Sequence, residues 1–355
     1  SGVLTSVHAF ASDPTRGVYI LAYLFVVVGG SLTLFALKAP RMVQGEGFGG
    51  ISRETTLLVN NLLLAVMCAM VLLGTLYPLA IDAFGAGKIS VGAPYFGLLF
   101  SLLMIPLIIA VPFGMFSRWR SDDLLRIVRK LIVPAVIAVA AGVATWVLTP
   151  EAGLVGIAGM MGGIWLIVAS LAWPVQRLRK QGHFTRGEAV MTMAHVGVGI
   201  FVIGAAMTGA ISSEKHLRMT AGDQHELGGY VFSFTGTRGV QGPNFVADEG
   251  EFIISKNGEE VTRLYSQKRR YMGNNQVMTE AAIDAGLTRD LYVSLGEPLD
   301  GGQAWAVRIY HKPFVRFIWL GALLMTVAGL LAAGDRRFRR KKAEEPATGM
   351  EAAAT

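Results

Sequence analysis

His195 is the residue whose type and setting indicate chemistry most directly. It lies in residues 189–211, an otherwise apolar stretch that is long enough to cross a bilayer. A charged side chain there costs roughly a few kcal/mol, so such a residue usually has a partner and a function. A neutral imidazole in an apolar setting is typically a metal ligand, and haem iron is a common metal centre in membranes. The sequence therefore predicts haem ligation by His195; the alternative is a structural histidine hydrogen-bonded to another helix.

The surroundings of His195 predict what else the site needs. Gly197, Gly199 and Gly204 are expected to leave room for a flat ligand beside this helix. Haem between helices usually takes two axial ligands, and no second histidine lies within a predicted membrane span. The second ligand is therefore expected outside this segment.

His8 is the other histidine of interest, because it lies just ahead of the first predicted span. Residue chemistry alone favours an ordinary surface histidine that titrates near pH 6.5. Phe10 and the apolar flanks of residues 3–12 would also suit a stretch that lies on the membrane surface against a flat ligand. The remaining histidines have no metal-ligand spacing, and we expect solvated loop or strand residues; they are His183, His216, His225 and His311.

The elements that must position these residues are membrane helices. The chain has 52% hydrophobic residues and a mean hydropathy of +0.48, which is too apolar for a soluble protein of 355 residues. Seven segments have the length of about 20 apolar residues that a bilayer core requires. They are residues 17–37, 56–77, 95–116, 131–148, 153–173, 189–211 and 313–334.

The net charge of +7 is distributed as membrane topology requires. Basic residues cluster in alternate loops, which predicts that those loops and the C-terminus are cytoplasmic and that the N-terminus is outside. The excess positive charge then sets the orientation in the membrane and contacts anionic lipid. It does not indicate nucleic-acid binding. The clusters are Lys38, Arg41 and Arg53; Arg118, Arg120, Arg126, Arg129 and Lys130; Arg177, Arg179, Lys180 and Arg186; and Arg336, Arg337, Arg339, Arg340, Lys341 and Lys342.

A polar insert, residues 212–312, separates the last two spans and falls on the outer side by the same charge rule. Its apolar residues alternate, and Asn257-Gly258 is a strong hairpin signal, so we predict a β-rich domain. Gly236, Gly239 and Gly242 are expected in a loop between strands. The predicted organisation is a membrane domain at 1–211, the β-rich domain at 212–312, a last membrane helix at 313–334 and a basic, disordered tail at 335–355.

Nucleophile and nucleotide motifs are missing from the sequence, including GxSxG, HExxH, Walker A and the Rossmann fingerprint. The lone cysteine, Cys68, lies within the second predicted span, so the chain has neither a disulfide framework nor a CxxC pair. If this protein acts on thiols, the thiols belong to a partner. The first residues are loop-like and begin at Ser1, which predicts the later part of a longer polypeptide.

Several strings resemble the cytochrome c-type biogenesis family CcmF, over nearly all of the chain but only about the C-terminal half of that family. They are SGVLTSVHAFA at 1–11, MAHVGV at 193–198, GPNF at 242–245, MTEAAID at 278–284, RDLYVSLGEPL at 289–299 and AWAVRIYHKPFVRFIW at 304–319.

The resemblance implies a polytopic subunit of the haem lyase that attaches haem covalently to apocytochromes c by thioether formation. It implies that His195 ligates an embedded b haem and that His8 is an outward-facing ligand of the substrate haem. The second ligand of each haem and a tryptophan-rich haem-handling loop would lie upstream of Ser1.

The resemblance also implies where the protein works and with what. The expected partners are a haem chaperone of the CcmE type, an apocytochrome c with Cys-x-x-Cys-His, lyase subunits of the CcmH type, and quinol as electron donor. The expected location is the bacterial inner membrane, with the N-terminus and residues 212–312 in the periplasm. Three alternatives stay open: the paralogous subunit for cytochrome c nitrite reductase, a haem or solute transporter, and a non-catalytic scaffold.

Overall fold

The computed structural model describes residues 14–42, 47–87, 89–182, 185–273 and 276–334. Within them lie seven helices that are long and apolar enough to cross a membrane. Nine strands lie between the sixth and the seventh helix, which confirms the predicted class: a polytopic helical membrane protein with a β-rich domain. The helices are α1 (Pro14–Met42), α2 (Arg53–Ala83), α3 (Ala93–Phe116), α4 (Leu124–Leu148), α5 (Gly153–Gln181), α6 (Arg186–Ile211) and α7 (Val315–Ala333).

The chain divides into two compact units, and the first comprises Ser1–Gly142 with Ile164–Trp173. Helices α2 and α3 pack closely in it because Gly74 leaves space for a ring: a Cβ there would lie 2.4 Å from Tyr95. The Tyr95 hydroxyl donates a hydrogen bond to the Met70 carbonyl at 3.1 Å. Such side-chain bonds to main-chain carbonyls tie membrane helices together.

The polar loop between α3 and α4 is folded tightly against the start of α2. The Glu54 carboxylate accepts the Arg120 N–H at 3.0 and 2.9 Å, and Arg120 has a φ of 68°. The Asp122 side chain is only 1% exposed and pairs with Arg126, whose hydrogen bond is the main reason that the pKa of Asp122 lies well below its usual range. This loop is therefore a rigid corner of the first unit.

The second unit comprises Val143–Gly163 and Pro174–Thr355 and includes α6, the β domain and α7. Glycines allow its helices to approach each other closely. An added Cβ on Gly197 would lie 2.9 Å from the Gly321 carbonyl oxygen of α7, and one on Gly204 would lie 2.6 Å from the Ile318 nitrogen. Contacts this short are the usual role of small residues between membrane helices.

The β domain is a two-sheet sandwich. One sheet has the order β1-β9-β8-β7 and the other the order β2-β3-β4-β5-β6, and neighbouring strands are antiparallel. The strands are β1 (Ser213–Thr220), β2 (Gln224–Leu227), β3 (Tyr230–Gln241), β4 (Phe245–Lys256), β5 (Glu259–Tyr271), β6 (Val277–Glu280), β7 (Ala282–Ala285), β8 (Arg289–Leu299) and β9 (Ala304–Pro313).

The sandwich has its own hydrophobic core. Phe232, Phe252 and Ile254 from one sheet and Leu291 and Ile309 from the other are fully buried. Their alternation along each strand follows the period of two that places every second side chain on the inner face. The hairpin predicted at Asn257-Gly258 is present, and both residues adopt positive φ. The core therefore makes this insert a domain in its own right.

Candidate haem site

His195 lies in the interior of α6, nine residues after the first residue of the helix, Arg186. At a rise of about 1.5 Å per residue, this places it roughly 13 Å from the helix start. The position is fixed by a capping box, in which Thr185 accepts the Glu188 N–H and Glu188 accepts the Thr185 N–H. Arg177 adds an ion pair to Glu188 at 2.6 Å. The T-x-x-E spacing of Thr185 and Glu188 is the sequence signal of this cap.

The His195 ring is half-buried, and its Nδ1 lies 2.9 Å from the Met191 carbonyl oxygen. A carbonyl can only accept, so Nδ1 carries the proton in the neutral imidazole and Nε2 carries the lone pair. A hydrogen bond from one ring nitrogen to the backbone is the usual way to orient a metal-ligating histidine. His195 therefore has a tautomer and an orientation suited to ligation through Nε2.

A buried polar atom without a partner lies beside this histidine. Thr192 is one turn earlier on the same face of α6 and is 9% exposed, and among the described residues its hydroxyl has no hydrogen-bond partner. A buried hydroxyl without a hydrogen bond lowers the stability of the fold. We therefore expect a hydrogen-bonding group near the Thr192 hydroxyl. The face of α6 that carries His195 is thus polar at two positions.

The space expected beside the α6 glycines is filled by other helices, so that expectation is wrong. Gly197 and Gly204 face α7, which packs directly on them. The Gly199 carbonyl oxygen would lie 2.6 Å from a Cβ on Gly163 of α5. Small residues on a helix face allow either another backbone or a flat ligand to approach closely. Their sequence pattern therefore does not distinguish a helix neighbour from a flat ligand. A ligand at His195 would occupy a different side of α6 from Gly197.

The other histidines are not brought to His195 where the structure describes them. His216 is exposed on β1 and His225 is partly exposed on β2. His8 and His183 lie outside the described residues. Among the described helices, His195 is the one histidine.

His311 was expected to be a solvated strand residue, and this is wrong. Its ring is half-buried and lies 5.7 Å from the Tyr230 ring, centroid to centroid. Burial lowers the pKa of His311, and the positive charges of Arg289 and Lys256 lower it further. The cause lies in tertiary packing: Gly228, with a φ of +61°, leaves the space that the imidazole fills.

One further expectation, which concerns three glycines, needs correction. Gly236 and Gly239 belong to β3, and only Gly242 lies in the turn that follows. Glycine has low strand propensity, so two glycines three residues apart indicate a loop by sequence even where the strand continues through them. Cys68 is exposed on the surface of α2, although it lies within an apolar span. In a membrane helix such a residue faces lipid or another protein.

The donor set at His195 fits one half of a haem ligand pair. An imidazole with its Nδ1–H held by the backbone would supply one axial ligand, and the apolar helix supplies a low-dielectric environment. A second axial histidine is not found among the described helices.

The β domain and the whole chain are similar to known proteins. The family described as the CcmF C-terminal beta-sandwich matches residues 210–313. The cytochrome c-type biogenesis protein CcmF of Pseudomonas aeruginosa is 46% identical over 350 residues, which is 96% of this chain and 53% of that protein. The CcmF of Escherichia coli is 40% identical over 343 residues and 53% of its length.

A solved structure, described as cytochrome c heme lyase CcmF, shares the fold with a TM-score of 0.70 at 19% identity. It is matched over 89% of this chain and 50% of that chain. The NrfE protein of Haemophilus influenzae is 33% identical over 356 residues and 54% of its length. The chain therefore spans about half the length of the curated relatives it matches.

The seven helices and the matched sandwich define a polytopic membrane protein with a β domain of the CcmF C-terminal type. The chain is a homologue of the C-terminal half of the cytochrome c-type biogenesis proteins CcmF, which confirms the resemblance seen in its sequence.

Proposed function

We propose that this chain forms part of the haem lyase that attaches haem covalently to apocytochrome c, and that His195 ligates an embedded b haem. The observation that carries the proposal is the half-buried His195 in an apolar 26-residue helix, with Nδ1 bonded to Met191. The names of its relatives, cytochrome c-type biogenesis proteins, support the same function. Relatives called CcmF are 40–46% identical and NrfE is 33% identical, which favours the CcmF role over the paralogous one.

Thioether formation requires no nucleophile from the protein itself. Thioether formation adds the S–H of a substrate cysteine across a haem vinyl group, so sulfur and hydrogen both come from the partner. The protein must hold the haem, orient the vinyl edge and exclude water. An exposed Cys68 on a membrane helix is not required for this step. An embedded haem would relay electrons that keep the substrate iron reduced, with quinol as the donor.

The partners that follow from this proposal are a CcmE-type haem chaperone, an apocytochrome c with Cys-x-x-Cys-His, and CcmH-type lyase subunits. The proposed location is the bacterial inner membrane, with residues 212–312 and His8 on the periplasmic side. The loop charges support this orientation. His8 is proposed, from the resemblance alone, as an outward-facing ligand of the substrate haem.

A reconstituted assay tests the activity directly. The native polypeptide that contains this chain, placed in liposomes with haem-loaded chaperone, apocytochrome c and a reductant, should produce covalent cytochrome c. A transporter would instead move haem across the bilayer without forming thioethers, and a scaffold would bind both partners without turnover. Absence of thioether product under conditions where both partners bind would contradict the lyase role.

A further inference from the structure

The Thr192 side chain on α6 is a buried polar group whose hydrogen bond is not accounted for by its neighbours. It is 9% exposed, and its hydroxyl has no hydrogen-bond partner among the residues that the structure describes. A hydroxyl that is removed from water without gaining a partner destabilises a fold, so such groups are rare in native proteins. Thr192 therefore indicates a bond to a group from outside the described residues.

Threonines elsewhere in the membrane helices satisfy their hydroxyls within their own helix. Thr33, Thr75 and Thr326 each donate to the carbonyl oxygen four residues earlier, at 2.7, 2.8 and 2.8 Å. This bond is the ordinary choice for threonine inside a helix. The corresponding acceptor for Thr192 is the Glu188 carbonyl, and the Thr192 hydroxyl does not bond to it. The hydroxyl is thus available to a ligand.

Thr192 lies one turn from the proposed haem ligand. It precedes His195 by three residues, so the two positions share a face of α6 and are separated by about 4.5 Å along the helix axis. The bond of His195 Nδ1 to the Met191 carbonyl leaves Nε2 as the ligating atom. A ring held by Nε2 would therefore lie against the face of α6 that also carries Thr192.

The chemistry of haem limits what the hydroxyl could bind. The rim of the ring carries methyl and vinyl groups, which accept no hydrogen bond, and two propionates, whose carboxylate oxygens accept strongly. The second axial ligand would bind on the opposite face of the ring, beyond the reach of a threonine on the helix of the first ligand. A propionate is thus the acceptor that suits Thr192.

The place of His195 along α6 indicates which way the propionates would point. His195 is nine residues after Arg186 and sixteen before Ile211, or about 13 and 24 Å from the two ends of the helix. A carboxylate is costly in apolar surroundings, so the propionate edge should face the nearer end, where Arg186 also supplies positive charge. Thr192 lies in that direction from His195.

We propose that the Thr192 hydroxyl donates a hydrogen bond to a propionate of the haem that His195 ligates. The inference rests on the proposed function and adds a cofactor-binding residue to it. Haem would then be attached to α6 at two points, the iron and the rim, and the second attachment fixes the rotation of the ring about the bond between iron and imidazole.

Three substitutions separate the hydroxyl from the shape of the side chain. Thr192→Val keeps the shape and removes the hydroxyl, whereas Thr192→Ser keeps the hydroxyl and removes a methyl group. Thr326→Val is the matched control, because it removes an exposed hydroxyl of α7 that bonds to the carbonyl of its own helix. In haem-depleted protein, Thr192→Val should melt at or above the wild-type temperature, since no hydrogen bond within the described residues is lost.

The measurement is the rate at which the purified native polypeptide, in detergent, loses its haem to excess apomyoglobin. We expect Thr192→Val to lose haem about tenfold faster than the wild type, because a hydrogen bond to a charged group is removed. Thr192→Ser and Thr326→Val should lose haem at the wild-type rate. With iron etioporphyrin, which carries alkyl groups in place of both propionates, Thr192→Val and the wild type should release the ring at the same rate.

Equal haem loss from Thr192→Val and the wild type would overturn the inference, as would a faster loss that persists with iron etioporphyrin. A marked drop in the melting temperature of haem-depleted Thr192→Val would make the hydroxyl structural and would overturn it too. None of these results bears on catalysis. Haem that is retained after His195→Ala, or thioether formation that fails while haem is held normally, would count against the proposed function instead.

Discussion

At the scale of single residues, His195 and His311 show how surroundings decide what an imidazole can do. His195 donates from Nδ1 to a backbone carbonyl within an apolar helix, a setting that suits metal ligation. His311 fills space beside Tyr230 and lies close to two cations, which keeps it neutral. Residue type and span location were sufficient to single out His195, whereas the burial of His311 depends on Gly228 and could not be deduced from its strand.

His311 should titrate below the ordinary histidine value of about 6.5, which NMR of its ring protons can measure. The unfolded chain takes up the proton first, so stability of the β domain should fall as pH decreases from about 6.5 towards the folded pKa and stay flat above it. His311→Gln should remove that pH dependence. An unshifted pKa would show that the ring is solvated.

His8 is predicted from resemblance to ligate the substrate haem, and its substitution should act differently from a folding defect. His8→Gly should abolish formation of covalent cytochrome c while leaving the absorption of the embedded haem in place. Added imidazole should partly restore maturation, because it can occupy the vacant coordination position. Normal maturation without imidazole would exclude the ligand role, and joint loss of both haem signals would indicate misfolding.

At the scale of elements, the helices were the most predictable part of the chain. Six of the seven predicted apolar spans lie within one helix each, and the helices extend further because their polar end turns continue the hydrogen bonding past the apolar core. The second half of β3 was less predictable, since Gly236 and Gly239 interrupt its pattern and indicate a loop. The partners of the α6 glycines could not be predicted, because a small residue does not specify which helix approaches it.

The packing of α6 on α7 gives an element-scale prediction. Gly197→Val should destabilise the protein by about 1–3 kcal/mol, because the added methyl groups meet the Gly321 carbonyl and Leu324. Gly209→Val on the same helix is the control, since a Cβ at Gly209 has open space. Thermal unfolding in detergent measures both. Equal melting temperatures for the two variants would contradict the close contact of these helices.

At the scale of the whole molecule, the described residues contain seven helices that are long and apolar enough to cross a membrane, and a β-sandwich whose sequence family matches residues 210–313. The predicted boundaries of its domains and the disorder of the tail stay predictions, and the tail lies outside the described residues. The second haem ligand also stays a prediction, since one imidazole among the described helices cannot complete a pair.

Topology is the first whole-molecule prediction. Reporter fusions at Arg120, in the loop between α3 and α4, and at Lys256, in the β domain, should give opposite results, with Lys256 on the periplasmic side. The reason is the concentration of arginine and lysine in alternate loops. The same result from both fusions would contradict the assigned orientation.

The central claim is that His195 binds haem iron in the membrane. The most direct measurement is the reduced-minus-oxidised absorption spectrum of the purified native polypeptide and of its His195→Ala variant, with His225→Ala in the β domain as the control. We predict that His195→Ala loses the low-spin b haem bands, because the iron loses an axial imidazole, and that His225→Ala retains them. An unchanged spectrum in a His195→Ala protein with wild-type melting temperature would contradict the claim and make His195 a structural residue.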